Sequence, residues 1–311
     1  MDDMRDGVRP LKLAVGPLLF GWPENKIREL YLELAEKREV DILYLGEVVC
    51  SKRSISGVEW QVELARELAA SGKEIVLSTL AMPTAAHELQ AIREVAIAAK
   101  EHDLFIEAND MAAVAIASEM GVGFVAGPHL NIYSRGSLDV LCRNGAMRAV
   151  LPLELPAMDI AAVVGDAQVQ IEYFAHGKLP LTFSARCYTA RAEGLSKRDC
   201  RHVCFLNPDG VEMRTLDGDG FSTINGIQIM SQKPFTALDH VAEIAGFGVD
   251  VVRISPQASD MENVIKLFRA AMDGVMAASD ALHALAKGRE PGDAFCNGYY
   301  HGRQGRLWVG E

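Results

Sequence analysis

Short, continuous apolar runs alternate along the chain with longer amphipathic segments. The runs are LKLAV (residues 11–15), DILYL (41–45), EIVLSTL (74–80), LFIEA (104–108), GFVAG (123–127), AVLPLEL (149–155), QVQIEYF (168–174) and VDVVRIS (249–255). Apolarity that is continuous rather than alternating marks strands buried on both faces, as in a parallel sheet. Between them the spacing is helical. Ile27, Leu30, Tyr31 and Leu34 follow i, i+3, i+4, i+7 just after Pro23, a residue suited to a first helical turn. Ser259 and Glu262 have capping-box spacing, and Val264, Ile265, Phe268, Met272 and Val275 form the apolar stripe that follows. Eight strands with intervening helices predict an α/β fold, a TIM-barrel-like (β/α)8 barrel. An open doubly wound sheet is the second choice, weakened because no G-x-G-x-x-G follows the first strand.

The alternation breaks between about residues 182 and 230, after the seventh strand, in an insertion with three cysteines and many basic residues. Asn207-Pro208-Asp209-Gly210 is a strong turn sequence and is expected to close a hairpin there. Chemistry in barrel enzymes sits on loops beyond the strand C-termini, and this insertion falls on that face. The chain reads as one domain, residues 1–311, with a C-terminal tail from about 288 to 311. Asp217-Gly218-Asp219-Gly220 opens like a calcium loop, but Ser222 and Gln228 stand where an EF-hand needs Gly and Glu, so it reads as a turn.

With 49% apolar and 23% charged residues among 311, the chain can bury a large core. Its net charge of −11 argues against a nucleic-acid partner, which needs clustered cations. The N-terminus MDDMRDGVRP has no apolar run of the secretory kind, and no apolar stretch approaches the roughly 20 residues of a transmembrane helix. A cytoplasmic location is expected. Six cysteines in a reducing compartment point to free, catalytic or metal-bound thiols rather than disulfides.

Three of them concentrate in FSARCYTARAEGLSKRDCRHVCFLNPDG: Cys187, then Cys200 after twelve residues, then Cys204 after three more. Thiols this close in sequence converge on one centre without long-range help. Arg186, Arg191, Lys197, Arg198 and Arg201 would lower thiolate pKa values and offset the charge of a thiolate-ligated cluster. Buried, inert cysteines are the simplest alternative. Zinc, with His202 as a fourth ligand, is the chemical rival, although paired C-x2–4-C knuckles are missing. The remaining candidates for a fourth ligand are Cys50, Cys142 and Cys296. Cys142 falls in a helical segment and reads as a core residue. Cys50 ends DILYLGEVVC at the C-terminal end of the second strand, on the face of the insertion, and stands ahead of Cys296 in the Gly-rich tail FCNGYYHGRQG.

The segment EYFAHGKLPLTFSARC, Glu172 to Cys187, resembles the signature of the peptidase U32 family, and the sequel Cys187-x12-Cys200-x3-Cys204 is similar to one branch of it. EANDMAA at Glu107, GPHLNIYS at Gly127, INGIQIMS at Ile224 and NGYYHGRQG at Asn297 extend the resemblance over nearly the whole chain. It implies a barrel-like U32 domain carrying a [4Fe–4S] cluster on Cys50, Cys187, Cys200 and Cys204. It further implies a role, in a heterodimer with a paralogue, in oxygen-independent ring hydroxylation of a ubiquinone precursor, with a lipid-carrier accessory protein as a further candidate partner. Peptidase activity is the family's name and the lower-ranked alternative, since no G-x-S-x-G is present and the cysteines best placed for attack are best placed for metal. A non-catalytic, cluster-bearing scaffold is the third reading.

Glu172 and His176, near the end of the seventh strand, are the candidates for catalysis, against a purely structural role as a hydrogen-bonded pair shaping the loop. Asp110 reads as a helix cap. Pro128, His129 and Asn131, after the fifth strand, are placed to line a pocket.

Overall fold

The computed structural model of the chain describes residues 10–165, 167–258 and 260–310. Eight parallel strands close into a barrel: β1 (Lys12–Val15), β2 (Ile42–Leu45), β3 (Glu74–Ser78), β4 (Phe105–Ala108), β5 (Phe124–Ala126), β6 (Ala146–Val150), β7 (Gln170–Gly177) and, last in the chain, β13 (Val251–Ile254). Closure is made where β13 pairs with both β1 and β7 and β6 pairs with β7. The TIM-barrel-like expectation is met. The sixth strand starts earlier than its apolar run, because the charged Arg148 belongs to it and points into the barrel.

Helices α1 (Glu24–Glu36), α2 (Gly57–Ala69), α3 (Ala86–Glu101), α4 (Met111–Met120), α5 (Arg135–Arg143) and α6 (Ala157–Val164) follow the first six strands. Their apolar stripes pack on outward-facing residues such as Leu13, Leu43, Leu77 and Ile106. Removing these side chains from water is the main force holding the layers together, at about 25 cal/mol per Å² of apolar surface. Asp110 caps α4 as expected, its carboxylate accepting from Ala112 N at 2.7 Å. Among the described residues no helix is long and apolar enough to cross a membrane.

The insertion folds as a four-stranded antiparallel sheet in the order β8 (Pro180–Phe183), β11 (Gln228–Ser231), β10 (Gly220–Asn225), β9 (Val211–Arg214), with the short helix α7 (Tyr188–Ala192) beside it. The hairpin turn is not the one expected. Asn207–Gly210 does turn, Gly210 N donating to Asn207 O at 2.9 Å, but it leads into β9. The hairpin between β9 and β10 closes at Thr215–Asp219, the segment that only resembled a calcium loop.

A two-residue strand, β12 (Phe235–Thr236), adds antiparallel to the end of β7. Then come α8 (Val241–Gly246), α9 (Met261–Met272), α10 (Ala278–Ala286) and α11 (Pro291–Ala294). The capping-box residue Ser259 lies outside the described residues. Val264, Ile265 and Phe268 are buried as their spacing predicts, whereas Val275 falls beyond α9 and is 82% exposed.

Candidate functional site

Four cysteines from two distant parts of the chain line one cavity. Cys50 comes from the loop after β2, where Glu47 Oε1 accepts from the backbone N–H groups of Val49 and Cys50 at 2.8 and 2.9 Å. Cys187 stands at the N-cap of α7, its sulfur 3.4 Å from Ala190 N. Cys200 lies on the loop that follows, and Cys204 is buried in the 3₁₀ turn Val203–Leu206. Lys52, Arg53, Lys197, His202, Val203 and Gly226 complete the wall. Cys142 is on α5, and Cys296 is buried elsewhere with its sulfur 3.6 Å from Pro234 O. The structure therefore brings Cys50 to the other three and keeps Cys296 away.

Of the five basic neighbours in the local sequence, Lys197 reaches the thiols and the four arginines do not. Arg186, Arg191, Arg198 and Arg201 are exposed. The dominant cation is Arg53, 3% exposed, which donates to Leu19 O and Asn225 O, each at 2.9 Å. Its Nε is buried without a partner. Gly21 closes over this corner, where a Cβ would lie 3.0 Å from Cys204 Sγ and 3.2 Å from Arg53 Nε. Burial pushes the thiols of Cys50 and Cys204 up, against the pull of Arg53, so the lowered values expected from basic neighbours do not follow here. Arg53 Nε is the natural donor to a charged sulfur in this space.

The cavity itself is about 20 Å³, little more than a water's worth. Among the described residues no three His, Cys, Asp or Glu side chains close on a position for a metal ion. His202 gives its Nε2 to the Lys52 carbonyl at 2.8 Å and stacks on Phe205.

Glu172 and His176 are not brought together. Glu172 points into the barrel, fully buried, with Arg253 Nε on its Oε1 at 2.5 Å and Tyr44 OH donating to Oε2. Arg253 also holds Glu107 at 2.6 Å and lies over the Tyr44 ring, 3.9 Å from its centroid. Arg148 donates to Tyr44 OH at 3.0 Å. Both carboxylates belong to this interior network. His176 faces the other way, edge-on to Phe268 and Phe295 at 5.7 and 5.9 Å. The four-residue spacing would keep both on one face of a regular strand. A register shift opposite Arg253 and Ile254 breaks that alternation. Burial lowers His176 to about 4, so it is neutral near pH 7.

Residues 31–310 match the sequence pattern of Peptidase family U32. The chain belongs to the peptidase U32 family. A U32-type relative is a protein named collagenase from Porphyromonas gingivalis, 27% identical over 208 residues. The alignment takes in 63% of this chain but 45% of that protein, so the chain spans less than half of its relative. Solved structures that superpose include the U32 peptidase Mk0906, with a TM-score of 0.43 and 10% identity over 83% of this chain and 98% of the other. Thiamine phosphate pyrophosphorylase from Pyrococcus furiosus superposes with a TM-score of 0.46 and 12% identity over 86% and 98%.

Proposed function

We propose that this U32 protein is the iron–sulfur component of an oxygen-independent hydroxylase, of the kind represented by the UbiV branch. It would act as a heterodimer with a UbiU-like paralogue on a ubiquinone precursor, with a lipid-carrier accessory protein able to deliver that apolar substrate. The observation that carries the reading is the meeting of Cys50 with Cys187, Cys200 and Cys204 in one cavity, while the other two cysteines lie elsewhere. Four thiols, a buried guanidinium with an unpartnered Nε, and a glycine where a Cβ would crowd Cys204 suit a [4Fe–4S] cluster.

When bound, such a cluster supplies one-electron transfer or a rigid cross-link. The chain's own residues hold the thiols in place. Glu47 fixes the Cys50 loop, and Arg53 ties that loop to the insertion and offsets thiolate charge. Four cysteine ligands leave no iron open to substrate, which favours relay or scaffold over direct substrate binding.

Anaerobic purification with the paralogue, followed by iron and sulfide analysis and EPR, tests this. The expected result is a brown heterodimer with about four irons in this chain. A colourless chain with one zinc overturns it. The relative named collagenase supports a second reading as a peptidase. That reading predicts gelatin cleavage in air by the iron-free protein. A purely scaffolding cluster predicts that Cys200→Ala loses the partner before it loses any chemistry.

A further inference from the structure

A second cavity opens at the C-terminal mouth of the barrel, on the face where barrel folds place their chemistry. Three of its lining residues carry buried polar atoms with no partner: Arg253 Nη2, Ser255 Oγ and Asn109 Oδ1. All three side chains are at most 3% exposed. An isolated unpaired buried donor or acceptor costs about 1–3 kcal/mol. Three around one space form an unfilled hydrogen-bonding set rather than scattered defects. Asn109 Oδ1 packs against Gly127, where a Cβ would sit 2.0 Å from it.

The set describes its ligand. The guanidinium nitrogen donates, the amide oxygen accepts, and the serine hydroxyl does either. A hydroxyl group is the simplest partner that both accepts and donates. An anion is not called for, because Arg253 already faces Glu107 and Glu172, and Arg148 balances the second carboxylate. Burial also keeps His129, on the rim, neutral near pH 7, its pKa lowered to about 4. Apart from Glu107, whose carboxylate Arg253 already engages, the other walls are largely apolar, with Pro17, Pro128, Pro180 and Phe174 among them. We infer that the barrel mouth is a binding site for a neutral, hydroxyl-bearing ring, head-down on Arg253, Ser255 and Asn109.

The free space is about 20 Å³, so a ring enters only as the rim gives way. The 3₁₀ turn Pro128–Leu130 carries His129, whose ring meets the insertion edge-on at Phe183, 4.9 Å between centroids. The site uses none of the cysteines and does not rest on the cluster proposed above.

The test is saturation-transfer NMR with phenol as the probe on the full chain, with cyclohexanol and benzoate as comparisons. Saturable binding of phenol is expected, about five-fold weaker in Ser255→Ala, the loss of one hydrogen bond. The Ser255 hydroxyl makes no bond within the protein, so the variant folds as the wild type does, which a thermal melt verifies. Cyclohexanol binding equal to phenol's keeps the site but makes its ligand aliphatic. No saturable phenol binding, an unchanged Ser255→Ala affinity, or tighter binding of benzoate overturns the inference. Iron analysis of the same samples separates the two proposals: an iron-free chain that binds phenol leaves this site standing, and an iron-loaded chain that does not refutes it.

Discussion

Arg53 Nη2 donates to both oxygens of Asn225, the backbone carbonyl at 2.9 Å and the side-chain amide at 2.6 Å. The two residues are 172 positions apart in sequence. Asn225 in turn accepts from Gly21 N at 2.8 Å and donates to Cys204 O at 3.0 Å. One buried contact thus links the Cys50 loop, the first strand's loop and the cysteine turn. Arg53→Met should remove the charge-assisted bonds and strand the carbonyls of Leu19 and Asn225. The expected cost is about 3 kcal/mol or more, read as a lower urea midpoint. Iron retention should fall with it, and Arg53→Lys should recover part of both.

Cys50 and Cys296 give opposite expectations. Cys50→Ser should lower the iron and sulfide content of anaerobically purified protein. Cys296→Ser should leave both unchanged, because that thiol is buried against Pro234 and lies outside the cysteine cavity. Equal iron loss in the two variants would remove Cys50 from the ligand set.

Glu172 is a test of structure against chemistry. Glu172→Gln leaves Arg253 facing Glu107 alone inside the barrel. Breaking such a buried pair costs about 3–5 kcal/mol. Thermal melts should show that loss, with activity lost in proportion to folded protein. A variant as stable as the wild type but inactive would instead make Glu172 a participant in the reaction.

His176 sets a pH dependence. Its value falls from an ordinary 6.5 to about 4 on folding. Between those values the unfolded chain binds the extra proton, so stability rises with pH. The contribution is fully present above pH 6.5 and is lost as pH falls toward 4, about 3 kcal/mol in all. His176→Phe, a ring of similar size between Phe268 and Phe295, should flatten this part of the stability–pH curve. Urea melts at pH 7 and pH 4.5 measure it.

The barrel was legible because its strands are buried on both faces, which leaves continuous apolar runs that charged helices interrupt. Arg148 hid the start of β6, since a charge that finds its partners inside a barrel looks like a loop residue. The insertion was legible only as a break. Val211–Arg214 is exposed throughout, so no periodicity announces β9. The cysteines were legible from their spacing, and so was Lys197 beside them, but the buried Arg53 was not, since it comes with the Cys50 loop rather than with the basic insertion. The pairing of Glu172 with His176 failed because a shift in strand register leaves no trace in composition. What did point to the barrel mouth was the position of Pro128 and His129 just past the fifth strand.

The ties between the Cys50 loop and the insertion bridge long stretches of chain. Lys52 reaches Arg198 O, His202 reaches Lys52 O and Arg53 reaches Asn225 across separations of 146, 150 and 172 residues. Contacts of such long range form slowly, after local elements have settled. On the ribosome, Cys50 would emerge and its strand pair long before the other three cysteines existed. The closing strand β13 follows the insertion in the chain, so the insertion is made before the barrel can shut, and the flap it forms stays open until the Cys50 loop docks against it. Cells short of whatever fills the cysteine cavity should accumulate the barrel with its flap nicked, rather than no protein at all.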